Sequence, residues 1–242
     1  VTACEKGQQW QRALMLLAGL RQQGLTPDSI VCSAAISACE KGRQWAHALL
    51  LLGEAPLHRL RLGTIAYNSA ISACGKCSEW PRALGLFRAM QHGNVNLDGM
   101  TYDAAIAACK EGQQWATALR LVGQMRHSEL GPNTITYSVA ISACAQGQQW
   151  VRALGLWAEL RLQRVEPNVM THTSVLGACE RGRQWARALW HVEEMRREGL
   201  APDAAAHVAL LLALVAGGQD TLALRAYGEA LQEGALRPWS AP

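Results

Sequence analysis

Tryptophan returns every 35 residues along this chain. Trp10, Trp45, Trp80, Trp115, Trp150 and Trp185 keep one step without an insertion, and Cys4, Cys39, Cys74, Cys109, Cys144 and Cys179 keep the same step. A period this strict excludes a globular domain built around one central core. It specifies stacked copies of one supersecondary unit, each burying its apolar face against its neighbours. Within a copy, Tyr137, Ala140, Ile141 and Cys144 follow the i, i+3, i+4, i+7 spacing of an amphipathic helix, and Trp150, Ala153, Leu154, Trp157 and Leu160 nearly repeat it. The unit is therefore two helices.

Glycine and proline punctuate each unit. Gly147 and its counterparts Gly42, Gly112 and Gly182 stand between the two helices, where a left-handed C-cap is expected because glycine enters that conformation without a Cβ penalty. Pro27, Pro132, Pro167 and Pro202 close the second helix. Pro81 fits a first helical turn, whereas Pro56 is expected to shorten its helix and make residues 55–63 the least regular stretch. The units then run 29–63, 64–98, 99–133, 134–168 and 169–203, preceded by a partial first copy at 1–28 and followed by a degenerate copy with its tail at 204–242. In the degenerate copy Asp220 stands where tryptophan belongs, and Arg237-Pro238-Trp239 lies near its end. Val1 is already in the register of Ile36 and Ile71, so the first copy enters without its opening turn, as in a fragment of a longer protein.

Comparison among the copies separates scaffold from variable surface. Ala48, Ala83, Ala118, Ala153 and Ala188 hold one position, and Ala38, Ala73, Ala108, Ala143 and Ala178 another. Small residues at fixed places bring helices close together, and the tryptophan is expected to fill the gap between layers, where a buried one changed to alanine costs roughly 3–5 kcal/mol. Half of the chain is hydrophobic but only 6% is aromatic, so the core is alanine, leucine, isoleucine and cysteine. The apolar run Ala204–Ala216 is too short to span a bilayer and contains His207. No signal or transit peptide is visible, although a fragment would have lost one.

The periodic cysteines read as small apolar packing residues of a reduced, intracellular protein. Cys74 and Cys77 form a lone C-x-x-C without the second pair a zinc site needs, and Cys77 merely replaces the periodic glycine. His191-Val192-Glu193 resembles the start of a zinc deaminase signature, but no cysteine pair follows it, and His191 reads as a surface or interface residue of the second helix. No repeat position carries histidine throughout. With no nucleophile motif and no phosphate loop, the chain reads as a non-enzyme without metal or cofactor.

Two positions vary in an ordered way. One carries Ser33, Asn68, Asp103, Ser138, Thr173 and Val208; the other, the last of each unit, carries Gly63, Asp98, Asn133, Asn168, Asp203 and Pro238. Helix capping and turn chemistry explain such residues. So does a second role, in which a short polar group per layer addresses its own hydrogen-bonding partner. Ile30, Ile65, Met100, Ile135 and Met170, three places before the first set, either pack an interface or grip flat rings.

The 35-residue unit, the openings Thr136-Tyr137-Ser138 and Ala66-Tyr67-Asn68, the Ala-Leu of the second helix and the closing Pro-Asn or Pro-Asp together resemble the pentatricopeptide repeat family over nearly the whole chain. The resemblance implies an all-α fold, an αα-superhelix that is a right-handed solenoid of helix-turn-helix repeats, monomeric and binding single-stranded RNA at one nucleotide per repeat. It implies that the fifth and last residues of a repeat choose the base while the second sandwiches it. Asn68 with Asp98 then resembles a uracil reader, Ser138 with Asn168 an adenine reader, and Thr173 with Asp203 a guanine reader. Ser33 with Gly63 and Asp103 with Asn133 leave their bases open, and Val208 with Pro238 reads nothing. The implied site is 5′-N-U-N-A-G-3′. Lys41, Lys76 and Arg181 fall where the family faces phosphates, whereas Glu111 and Gln146 occupy that position elsewhere.

A net charge of +4 is modest for a nucleic-acid binder, so charge must act through placement. The resemblance further implies organellar RNA processing, stabilisation or translation, in a mitochondrion or chloroplast, alongside an RNA-processing protein partner and without a membrane. The competing class is a tetratricopeptide-like protein-binding scaffold, whose unit is 34 residues with a different tryptophan signature.

Overall fold

The computed structural model describes residue 1, residue 7 and residues 9–58, 60–93 and 95–235. Cys4 and the Arg237-Pro238-Trp239 ending lie outside the described residues, as does Pro238 as partner of Val208. The described residues form thirteen α-helices: α1 (Trp10–Gln22), α2 (Ser29–Lys41), α3 (Trp45–Glu54), α4 (Thr64–Lys76), α5 (Trp80–His92), α6 (Gly99–Glu111), α7 (Trp115–His127), α8 (Thr134–Gln146), α9 (Trp150–Leu162), α10 (Val169–Arg181), α11 (Trp185–Arg197), α12 (Ala204–Ala216) and α13 (Asp220–Gln232). All but α3 are 13 residues long. Pro56 explains the exception, because α3 stops at Glu54 and gives way to a 3₁₀ turn over Ala55–His58.

The chain divides into two compact units, one of residues 1–112 and 120–131, the other of residues 113–119 and 132 onward. In the first, α2 packs on α4 and α4 on α6; in the second, α8 packs on α10 and α10 on α12. Within each unit these first helices of successive pairs form a row, and the second helices α3, α5, α9 and α11 each lean on the first helix that follows. The small residues explain the close row. Ala38, Ala73, Ala108, Ala143 and Ala178 are fully buried, as are Cys39, Cys74, Cys109, Cys144 and Cys179. A Cβ on Gly75 of α4 would stand 3.1 Å from the Cα of Ala108 on α6, so the backbones nearly touch. Burial pushes the thiols of Cys39, Cys74, Cys109, Cys144 and Cys179 up to about 11, which leaves them protonated packing groups.

The glycine between the helices differs from the expected left-handed cap. Gly147 has φ −78° and ends α8 in an ordinary right-handed conformation. The left-handed residue is the next one, Gln148, at φ 58°. Gln148 N donates to Ala145 O at 3.0 Å and Gln149 N to Cys144 O at 2.8 Å, the paired bonds of a Schellman ending. Glycine is required one residue earlier for another reason: a Cβ there would lie 2.3 Å from Cδ1 of Trp115. The same contact recurs between Gly42 and Trp10, Gly112 and Trp80, Gly182 and Trp150, and Gly217 and Trp185. These five tryptophans are thus half-buried lids, each laid across the next layer's glycine, while among the described residues the tryptophan sealed in the core is Trp157, 6% exposed.

Candidate nucleic-acid interface

The first turn of each inner helix carries the variable positions. Asp28, Asp98, Asn133, Asn168 and Asp203 cap α2, α6, α8, α10 and α12, each accepting a hydrogen bond from a backbone N–H of the first turn. Gly63 precedes α4 without a side chain to do so. The capping explanation therefore holds for the last residue of a unit, and it coexists with a second contact. Asn68 Nδ2 donates to Asp98 Oδ1 at 3.1 Å, and Thr173 Oγ1 to Asp203 Oδ1 at 3.3 Å, so in both layers the fifth and last residues meet side chain to side chain. Burial pushes the Asp98 carboxyl up, but hydrogen bonds from the Thr101 hydroxyl and backbone and from Asn68 outweigh it and hold the group below its ordinary value. It is a carboxylate at neutral pH.

The remaining positions differ. Ser33 donates inward to Ser29 O at 2.7 Å and does not reach Gly63, which has no side chain. Ser138 is 1% exposed, with its hydroxyl 2.7 Å from both Thr134 O and Thr171 Oγ1. Asp103 and Asn133 lie in different units of the chain.

Ile30, Ile65, Met100, Ile135 and Met170 are 57–73% exposed. Interface packing is therefore not what holds them apolar. Met170, Thr173, Asp203 and Arg181 line a single groove of about 460 Å³ beside α8 and α10, and Ile30, Ser33, Gly63 and Ile65 line another of about 540 Å³. The cations are less free than their spacing suggests. Lys76 Nζ lies 2.8 Å from Glu40 Oε1 of the preceding layer, and Glu111 pairs with its neighbour Lys110 at 3.0 Å. Arg181 Nη1 makes a long 3.4 Å contact to Gln146 O; it and Lys41 are exposed.

Three residues of the interface were not nominated by the sequence. Thr101, Thr136 and Thr171 are fully buried and complete capping boxes with Asp98, Asn133 and Asn168. The signal was present as an N-cap residue followed three places later by a hydrogen-bonding side chain. His191 is 2% exposed, so it belongs wholly to an interface: its ring lies 4.9 Å from that of Trp157 and 6.1 Å from that of His172. Among the described residues no group of three or more His, Cys, Asp or Glu could hold a metal ion, and no helix is long and apolar enough to cross a membrane.

Residues 53–229 match the family model described as the pentacotripeptide-repeat region of PRORP. No curated protein sequence matches the chain. Among solved structures, the pentatricopeptide repeat protein PPR10 from maize matches with a TM-score of 0.72 at 22% identity, over 96% of this chain and 33% of that one. The same protein in complex with an 18-nt psaJ RNA element gives a TM-score of 0.72 at 22% identity, over 97% and 38%. The PPR domain of Arabidopsis thaliana protein-only RNase P 1, in complex with tRNA, gives 0.62 at 17% identity, over 71% of this chain and 90% of that one. The chain thus spans about a third of the length of the maize protein. Likeness at these identities establishes the fold class, an all-α αα-superhelix. The family model covers well over half of the sequence, and the chain belongs to the pentatricopeptide repeat family.

Proposed function

We propose that this chain is a sequence-selective binder of single-stranded RNA, taking one nucleotide per repeat along the first helices of its pairs. The observation that carries the reading is the exposed apolar residue, once per layer, beside a fixed polar group. Ile30, Ile65, Met100, Ile135 and Met170 would gain nothing from water, yet five successive layers hold them out, 57–73% exposed. Flat bases sandwiched between them would cover that surface, and the polar residues alongside reach the bases' hydrogen-bonding edges.

Each 35-residue copy, from 29–63 to 169–203, is then one reading unit. Asn68 with Asp98 selects uracil, Ser138 with Asn168 adenine, and Thr173 with Asp203 guanine, within 5′-N-U-N-A-G-3′. Ser33 with Gly63 contacts a further nucleotide. Lys41, Lys76 and Arg181 face the phosphates. Solved relatives support this class: the maize protein is a complex with an 18-nt RNA element, and the Arabidopsis domain a complex with tRNA. The protein acts by occupancy, without chemistry of its own, protecting or presenting an organellar transcript, in a mitochondrion or chloroplast, to an RNA-processing partner.

The test is binding of labelled single-stranded RNA containing U-N-A-G, against a scrambled RNA, the DNA equivalent and duplex RNA, at two salt concentrations. Preference for the matched single strand, weakened in Asn68→Ala, is the expected result. Equal affinity for scrambled RNA overturns base reading, and no binding at low salt overturns the function.

A further inference from the structure

The methionines divide sharply by exposure. Met90, Met125 and Met195 are sealed in the core at 0–1%, whereas Met15, Met100 and Met170 are 72%, 71% and 61% exposed. Met15 belongs to α1, a second helix of a pair. Met100 and Met170 are the second residues of α6 and α10, the position that Ile30, Ile65 and Ile135 hold in the other layers. Isoleucine and methionine both offer an apolar surface to a flat base, so this position asks for an apolar side chain and not for sulfur. The two thioethers therefore add a chemistry that the isoleucine layers lack.

That chemistry is oxygen transfer from a hydroperoxide. A sulfur lone pair takes the outer peroxide oxygen, so the S–O bond forms as the O–O bond breaks and sulfur is oxidised by two electrons. The proton of the transferred oxygen passes to the leaving one, which departs as water or an alcohol. The sulfoxide carries a dipole that demands water or a hydrogen-bond donor, at the place where the apolar thioether would lie against a base. Met170 lines the groove of about 460 Å³ that also holds Thr173 and Asp203, open to a molecule as small as a peroxide. Bases lying on these side chains would close both sulfurs to the oxidant, so RNA and peroxide compete for the same atoms.

We propose that Met100 and Met170 are sulfoxidation sites at which a hydroperoxide reversibly lowers the affinity of this chain for RNA. Met15, equally exposed but on a second helix, is oxidised without that consequence. Methionine sulfoxide reductases, one for each epimer, restore the thioether. The proposal rests on the RNA-binding reading above.

The test treats the protein with hydrogen peroxide, maps sulfoxide by peptide mass spectrometry and measures Kd for the U-N-A-G single strand before treatment, after it and after repair by both reductases. A thermal melt accompanies each sample. Sulfoxide is expected at Met15, Met100 and Met170 ahead of Met90, Met125 and Met195, with affinity lowered about tenfold and restored by repair. Bound RNA is expected to spare Met100 and Met170 but not Met15. The double variant Met100→Ile, Met170→Ile, whatever its own affinity, should lose nothing further on treatment, while Met15→Leu should lose as much as wild type. Unchanged affinity with both sulfurs oxidised overturns the proposal. An equal loss in the double variant does so too, because it assigns the effect to another side chain such as the partly exposed Cys77. A melting temperature that falls together with the affinity also overturns it, since the loss is then one of folding. Untreated protein that binds no RNA overturns the RNA reading instead.

Discussion

Gly147 faces the indole of Trp115 so closely that a Cβ on it would stand 2.3 Å from Cδ1. The backbone at Gly147, φ −78°, suits any residue, so its side-chain requirement is purely a matter of space. Gly147→Ala is expected to displace the indole and destabilise the fold by about 1–3 kcal/mol in denaturant unfolding. Copy two shows that displacement is survivable, since Cys77 occupies this position and its thiol donates to Arg43 O at 3.1 Å. Gly155 is the control: a Cβ there meets nothing within 4 Å, and Gly155→Ala in mid-helix should stabilise by about 0.5–1 kcal/mol. Gln148→Gly, at φ 58°, should stabilise as well.

Asp98 and Ile65 separate folding from reading. Asp98 caps α6 and meets Asn68, so Asp98→Ala should cost about 1 kcal/mol of stability and also lose discrimination between bases. Ile65 is 73% exposed, so Ile65→Ala should leave stability within about 0.5 kcal/mol while weakening RNA binding for every sequence. Thermal melts alongside binding to matched and scrambled RNA distinguish the two outcomes.

Acid should loosen the second unit. His191 is 2% exposed, and burial, reinforced by the neighbouring His172 and Arg187, pushes its pKa down to about 3. Burial also lowers His172, although Glu198, 3.0 Å from its Nε2, opposes the shift. Because the folded pKa lies below the unfolded one, the stabilisation of the neutral ring is complete above about pH 6.5. It is lost toward pH 3, at up to about 1.4 kcal/mol per pH unit. His191→Phe keeps the ring contacts with Trp157 and Trp190 and should flatten the fall of melting temperature between pH 6.5 and 4.

Salt dependence should reveal how far Glu40 competes with RNA. If Lys41, Lys76 and Arg181 neutralise three phosphates, log K should fall against log salt with a slope of about −2. Glu40→Gln breaks the 2.8 Å pair with Lys76, and it should tighten RNA binding at low salt and steepen that slope. Lys76→Gln should flatten it and leave base preference unchanged.

The sequence alone determined the 35-residue step, the helical pairs, the short α3 before Pro56 and the row of capping residues, because each depends on geometry within a few residues of chain. A helix repeats every 3.6 residues wherever it stands, and a cap needs only its own first turn. What crosses from one layer to the next was decided by the tertiary structure. That Gly147 yields to Trp115, that Ser138 turns inward to Thr171, and that Lys76 is held by Glu40 are contacts between residues 32–36 positions apart. The rise and rotation of one helical pair on another set those distances, and no local pattern encodes them. For the same reason the alternation between packing and exposure at Ile65 and Met170 stayed open until the layers were stacked: an apolar side chain at the start of a helix reads identically in sequence whether a neighbour covers it or leaves it facing outward.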